Sequence, residues 1–221
     1  MHFERLSDEQ RRSLDRATKR YAEALEGSPA ISWLEDRGIP ADVARTFRLG
    51  YVDEPEVGHE QAQGALAIPY VTPSGVVGMR FRYLDDRKGK YWQPPGSRTR
   101  LYGVENLHLG EPYIALCEGE LDALVMTALC DVPAVGLPGV SNWKPHFKRL
   151  FEDYETVFIV MDFWKRDEGE IVEDGAGRVA AEKLRSELPN GVIVDLGIGD
   201  VNEAFLEEGP EYVRERLGLD G

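Results

Sequence analysis

Cysteine is scarce in this chain: only Cys117 and Cys130 occur in 221 residues. That excludes a disulfide scaffold and any four-cysteine zinc site, and it leaves Cys117, at the end of an apolar run, as a filler of core. The four histidines (His2, His59, His108, His146) are scattered and show no ligand spacing. No apolar run approaches the ~20 residues a membrane helix needs, and the charged N-terminus lacks the apolar segment of a signal peptide. A soluble, cytoplasmic protein with no membrane partner is therefore expected. There is no GxxxxGKS/T phosphate-binding loop, no CxxC pair, no internal repeat and no low-complexity tract. Positive charge is also short, for the net charge is −14 at pH 7.

Such a charge argues at first against nucleic acid, whose phosphates normally require a basic surface. Its distribution changes the argument. Residues 1–110 carry 16 Lys/Arg and 16 Asp/Glu, whereas residues 111–221 carry 10 and 24. Within the neutral half, the stretch from Arg80 to Arg100 holds seven basic residues (Arg80, Arg82, Arg87, Lys88, Lys90, Arg98, Arg100) against Asp85 and Asp86. A local positive strip followed by an acidic half suits an enzyme that handles polyphosphates or nucleic acid beside a metal.

The hydrophobic pattern divides the chain in the same place. Ser7 and Gln10 form a capping box, and Leu14, Ala17, Tyr21 and Leu25 recur at helical spacing up to Gly27. Ser28-Pro29 opens a short helix that ends at Gly38, and Pro40 opens another that runs to about Phe47. Strand-like runs follow at ALAIPYV, VVGMRFRYL and KYWQ, with Pro73-Ser74-Gly75 as the turn between the first two. From 111 onward strands and helices alternate: strand 113–117, helix 119–130, strand 132–136, helix 143–151, strand 156–161, helix 175–188, strand 191–196. Two short helices at 202–208 and 210–217 complete the pattern. The expected fold is α/β: a four-stranded, mostly parallel sheet flanked by helices over 111–221, preceded by an α+β subdomain with antiparallel strands over 1–110.

Acidic residues stand where buried strands would end. EGELDAL at 118–124 follows YIALC, Asp162 follows the apolar run 157–161, and GDVNE lies at 199–203. The carboxyl edge of an open α/β sheet is where ligands bind, and carboxylates gathered there repel one another unless a divalent cation holds them together. Each has a plainer reading beside that one: Glu118 as a helix cap, Asp162 as a strand-end residue, Asp200 as a turn residue after Gly199. Arg80 and Arg82 alternate along one strand and share a face, with Lys90 on the next run; the plainer reading is a solvated sheet face. Tyr91 and Trp92 fit either base stacking or core.

Together these strings resemble the TOPRIM domain. SWLEDRGIPADVARTFRLGYV, LAIPYVTPSGVVGMRFRY, KYWQPPG and LYGVENL narrow the resemblance to the RNA-polymerase core of bacterial and phage DnaG-type primases, over residues 25–205. The resemblance implies a DNA primase, a nucleotidyltransferase that makes short RNA primers for replication. It implies Glu118 as the catalytic glutamate, Gly119 as the site of close backbone approach and Asp122 in support. Asp162 matches the first aspartate of the DxD pair. Position 164 is Trp, so the second aspartate fits only at Asp174, with FWKRDEGEIVE inserted between them; Asp174 is equally suited to cap the helix that follows. Asp200 matches the last acidic station. Metal ligands would be Glu118, Asp162, Asp174 and Asp200, the cofactor Mg²⁺ or Mn²⁺, and the template and nucleotide contacts Arg80, Arg82 and Lys90. Expected partners are single-stranded DNA, ribonucleoside triphosphates, and a separate zinc-binding module and replicative helicase. A phage-encoded chain would work in the bacterial host cytoplasm. Two other functions stay open: a TOPRIM nuclease, and an inactive single-strand-binding or replisome accessory protein.

Overall fold

The computed structural model describes residues 5–85, 87, 89–167, 170–173 and 175–219. They form two compact units that divide between Arg98 and Thr99.

In the first unit the capping box closes as the sequence requires. Ser7 N–H donates to Gln10 Oε1 at 2.8 Å and Gln10 N–H to Ser7 Oγ at 3.2 Å, starting α1 (Asp8–Glu23). Helices α2 (Pro29–Glu35), capped by Ser28, and α3 (Ala41–Thr46) follow. The sheet runs β1 (Gly50–Tyr51), β2 (Leu66–Thr72), β3 (Gly75–Arg82), β4 (Tyr91–Trp92), every neighbour antiparallel. The period of two along β3 buries Met79 and Phe81 and leaves Arg80 and Arg82 on the opposite face. Phe81 is fully buried, with ring centroids 6.2 Å from Tyr21 and 5.4 Å from Trp92. Full burial of such a ring contributes about 1.5–3 kcal/mol. Trp92 thus packs, partly buried, against the core.

The second unit is built on a parallel sheet in the order β10 (Gly191–Ile193), β7 (Thr156–Val160), β5 (Tyr113–Cys117), β6 (Ala134–Gly136). The runs Ile114–Cys117 and Val157–Val160 are buried throughout, as strands covered by helices on both faces must be. Helices α4 (Glu120–Leu129), α5 (Gly175–Glu187), α6 (Val201–Glu208) and α7 (Pro210–Leu217) surround it. Residues 99–110 also join this unit, where Tyr102 and Gly136 exchange backbone hydrogen bonds of 2.9 and 3.0 Å.

The elements differ from expectation in three places. The segment expected as a helix over 143–151 is a 3₁₀ helix, Pro145–Phe151, with Phe147 N–H reaching only three residues back to Lys144. β10 stops at Ile193, three residues short of 196, because the chain then turns to place Asp195. The insertion after Asp162 forms a hairpin of its own, β8 (Trp164–Asp167) and β9 (Glu170–Glu173). Among the described residues no helix is long and apolar enough to cross a membrane.

Candidate active site

Parallel pairing sets Cys117 beside Val160, so the residues that follow β5 and β7 emerge at one edge of the sheet. Glu118 and Asp162 are half-buried there, and Asp162 N–H donates to Glu118 Oε2 at 3.2 Å. The N-cap position of α4 falls to Gly119, which offers no side-chain cap, so Glu118 is not the helix cap. A Cβ on Gly119 would stand 2.7 Å from Asp122 Oδ2, so any side chain here would displace the Asp122 carboxyl. Asp122 is buried in the first turn of α4. Burial, and then the charges of Asp200, Asp162 and Glu118, push its carboxyl well above the usual carboxylate range, against the opposing hydrogen bond from Asn202 N–H. Burial, followed by the charges of Asp122 and Asp162, likewise raises the Cys117 thiol. Asp200 caps α6 by accepting Glu203 N–H at 2.8 Å. The structure therefore brings Glu118, Asp122, Asp162 and Asp200 to one electrostatically coupled edge. Asp174 lies outside the described residues.

The first unit carries a second feature. Arg82 pairs opposite Tyr91, and Arg82 and Arg80 place their guanidinium carbons 4.9 and 4.2 Å from the Tyr91 ring centroid. The stack continues through Trp33, which has Arg82 at 5.3 Å and Arg37 at 3.6 Å. Three guanidinium groups thus interleave with two rings. Arg82 Nε is buried with no hydrogen-bond partner among the described residues. Lys90 is exposed one residue before β4.

No protein-family model matches the chain. The gene 57 protein of Mycobacterium phage D29 is 37% identical over 161 residues, which cover 70% of this chain and 99% of that protein. The chain belongs to the family of the D29 gene 57 protein. A DNA primase of Pseudomonas putida is 26% identical across 80% of this chain and 32% of its own length, so the chain spans about a third of that relative. Among solved structures, the zinc-binding and RNA polymerase domains of the Aquifex aeolicus primase superpose with a TM-score of 0.75 at 23% identity, covering 100% of this chain and 64% of that one. A DnaG primase catalytic domain bound to single-stranded DNA gives 0.73 at 21% identity, covering 96% and 80%. This member of the gene 57 family has the fold of a DnaG-type primase core.

Among its described residues, no three of His, Cys, Asp and Glu stand close enough to share an ion. The donor set still fits a hard cation. Every donor is a carboxylate oxygen, and the mutual repulsion that adds to burial in raising Asp122 is what a divalent ion relieves. Mg²⁺ is usually held by one or two carboxylates plus substrate phosphates, so a complete protein cage is not required.

Sequence reasoning passed over three side chains of this gene 57 family member. Asp195 ends the apolar run GVIVD much as Asp162 ends its own, and that pattern was the available signal. Trp33 lies in α2 and Arg37 in the turn that follows it, four residues on, a weak sign that gains meaning only once β3 and β4 bring Arg82 and Tyr91 beside them.

Proposed function

We propose that this chain is the RNA-polymerase core of a DNA primase, joining ribonucleotides on a single-stranded DNA template. The observation that carries the reading is the convergence of Glu118, Asp162, Asp122 and Asp200 at one sheet edge, in a chain with a primase-core fold. In the reaction a 3′-hydroxyl oxygen bonds to the α-phosphorus of the incoming triphosphate, the α–β phosphorus–oxygen bond breaks, and pyrophosphate leaves. Mg²⁺ or Mn²⁺ held by Glu118 and Asp162, with Asp174 and Asp200 as further candidates, would neutralise the triphosphate and lower the pKa of the attacking hydroxyl. Glu118 also accepts the Asp162 N–H, which ties its carboxylate to the backbone just past the end of β7. Asp122, buried in the first turn of α4, is held toward its neutral form by burial and by the charges of Asp200, Asp162 and Glu118, and a cation bound at this edge would favour its ionised form.

Arg80, Arg82 and Lys90 are the groups we assign to template or nucleotide phosphates, with Trp33, Tyr91 and Arg37 extending the strip. Guanidinium groups held over rings are pre-ordered for phosphate, and the rings offer stacking surface to unpaired bases. A separate zinc-binding module and a replicative helicase remain proposed partners.

Primer synthesis on single-stranded template with ribonucleotides and Mg²⁺ or Mn²⁺ tests the reading. Synthesis that survives Glu118→Gln and Asp162→Asn at wild-type rate sinks it. A parallel incubation without nucleotides distinguishes a nuclease, which would shorten labelled DNA or RNA.

A further inference from the structure

The hairpin inserted between Asp162 and α5 has both its ends tied to one carboxylate. At its start, Trp164 Nε1 donates to Asp195 Oδ1 at 2.7 Å. Just past its end, Arg178 in the first turn of α5 reaches Asp195 Oδ2 at 3.4 Å and Glu173 Oε1 at 2.6 Å. Between those points β8 and β9 pair from Trp164 opposite Glu173 to Asp167 opposite Glu170, so the extra chain leaves and returns at the same place. Asp195 is itself anchored. Gly197 N–H donates to its Oδ1 at 2.8 Å, and its carbonyl accepts Nε of Arg216 at 2.9 Å. Burial alone would raise the Asp195 carboxyl, but the bonds from Trp164, Gly197 and Arg178 outweigh it and hold the group below its ordinary range, charged and ready to accept.

The same contacts reach Asp162. Its neighbours Met161 and Phe163 are buried, and the Arg178 guanidinium lies 4.8 Å over the Phe163 ring. A Cβ on Gly177 would overlap the Asp162 carbonyl oxygen, so the first turn of α5 rests directly on the Asp162 peptide. Whatever fixes Trp164 and Arg178 therefore fixes Asp162 from both sides.

We propose that Asp195 is a positioning residue for the carboxylate edge: by clasping Trp164 and Arg178 it closes the insertion and holds Asp162 in register with Glu118. The inference rests on the reading of Glu118 and Asp162 as the metal-holding pair. Asp195 acts through the two residues it binds and touches no substrate. The clasp reinforces the β8–β9 pairing at the point where the 11-residue insertion leaves and rejoins the fold beside the reacting groups.

The test uses the full chain with Asp195→Ala, Asp195→Asn and Trp164→Phe. Hydrogen exchange across 163–173 reads the clasp, Mn²⁺ titration of the protein alone reads the edge, and the split of Mg²⁺ dependence from kcat in primer synthesis reads the consequence. Asp195→Ala is expected to accelerate exchange in the hairpin and to weaken Mn²⁺ binding by about tenfold, the scale of lost outer-shell support. Asp195→Asn keeps an acceptor for Trp164 and Gly197 and should restore much of the protection. If Asp195→Ala does not fold, Trp164→Phe, which keeps an aromatic ring, carries the same comparison. Unchanged hairpin exchange overturns the clasp, and faster exchange with unaltered Mn²⁺ affinity overturns the positioning role. If Glu118→Gln leaves Mn²⁺ binding intact, the metal-site reading fails instead, and hairpin exchange still judges the clasp.

Discussion

The Asp162 N–H donates to Glu118 Oε2 at 3.2 Å, so the ends of two adjacent parallel strands are joined by the side chain assigned the central chemical role. Structure and chemistry separate under Glu118→Gln. The amide oxygen still accepts from Asp162, and stability should stay within about 1 kcal/mol of wild type. Loss of the negative charge should lower primer synthesis by on the order of 100-fold, equivalent to about 2.7 kcal/mol of transition-state stabilisation. Thermal unfolding and primer yield on the same preparation check both halves.

Asp122 gives a prediction of opposite sign. Its folded pKa is raised by burial and then by the charges of Asp200, Asp162 and Glu118, so the folded state binds its proton more tightly than the unfolded chain. The stability it contributes is full below the unfolded value, near 3.8, and is lost as pH rises through the raised folded value. Asp122→Asn keeps an oxygen for Asn202 N–H and removes the charge. At pH 8 it should raise Tm by roughly 2–4 °C, the shift expected for about 1 kcal/mol in a chain of this size, and the gain should shrink toward pH 4. Scanning calorimetry across pH decides it. A variant that melts below wild type at pH 8 contradicts the coupling described for this edge.

The first unit should respond to acid through His59. Burial lowers its pKa below 6.5, against the raising effects of Glu56 and Glu60. Tyr21 Oη accepts Glu56 N–H at 2.8 Å and lies 3.0 Å from His59 Nδ1, within a hydrogen bond whose direction follows the imidazole tautomer. A histidine with a depressed folded pKa contributes stability that is present above pH 6.5 and lost as pH falls through the folded value. NMR titration of the His59 imidazole should give a midpoint below 6.5, and Tm should fall between pH 7 and pH 5 less steeply in His59→Gln than in wild type. A midpoint above 6.5 would show that the two glutamates outweigh burial.

The fold was legible because its signals are local. The capping box at Ser7 and Gln10, the alternation along β3 and the fully apolar runs of β5 and β7 each depend on neighbours within a few residues. The carboxylates Glu118 and Asp162 were legible for the same reason, as each follows its strand directly. Contacts between distant segments were not. The Asp195 clasp joins residues 164, 178 and 195, and the ring stack joins residues 33, 37, 82 and 91. In both, sequence shows the right residue types but not the pairing, which only the turns between the elements create.

That ring stack yields a prediction in which two kinds of contact can be told apart. Arg82 faces Tyr91 and Trp33 at 4.9 and 5.3 Å, and its Nε has no hydrogen-bond partner among the described residues. Nε is shielded from solvent, and the two rings hold the remainder of the guanidinium pre-ordered for a phosphate. Arg82→Ala should weaken binding of a single-stranded DNA oligomer and reduce the magnitude of its log K against log salt slope by about 0.7–1, the loss of one phosphate contact. Trp33→Ala removes stacking surface and should cost about 1–3 kcal/mol of affinity while leaving the salt slope nearly unchanged. Fluorescence anisotropy at several salt concentrations separates the two. If both variants shift the slope equally, Trp33 serves only to hold Arg82 and Arg37 in place, and the strip reads backbone charge alone; if neither affects binding, the template does not pass over this face of the sheet.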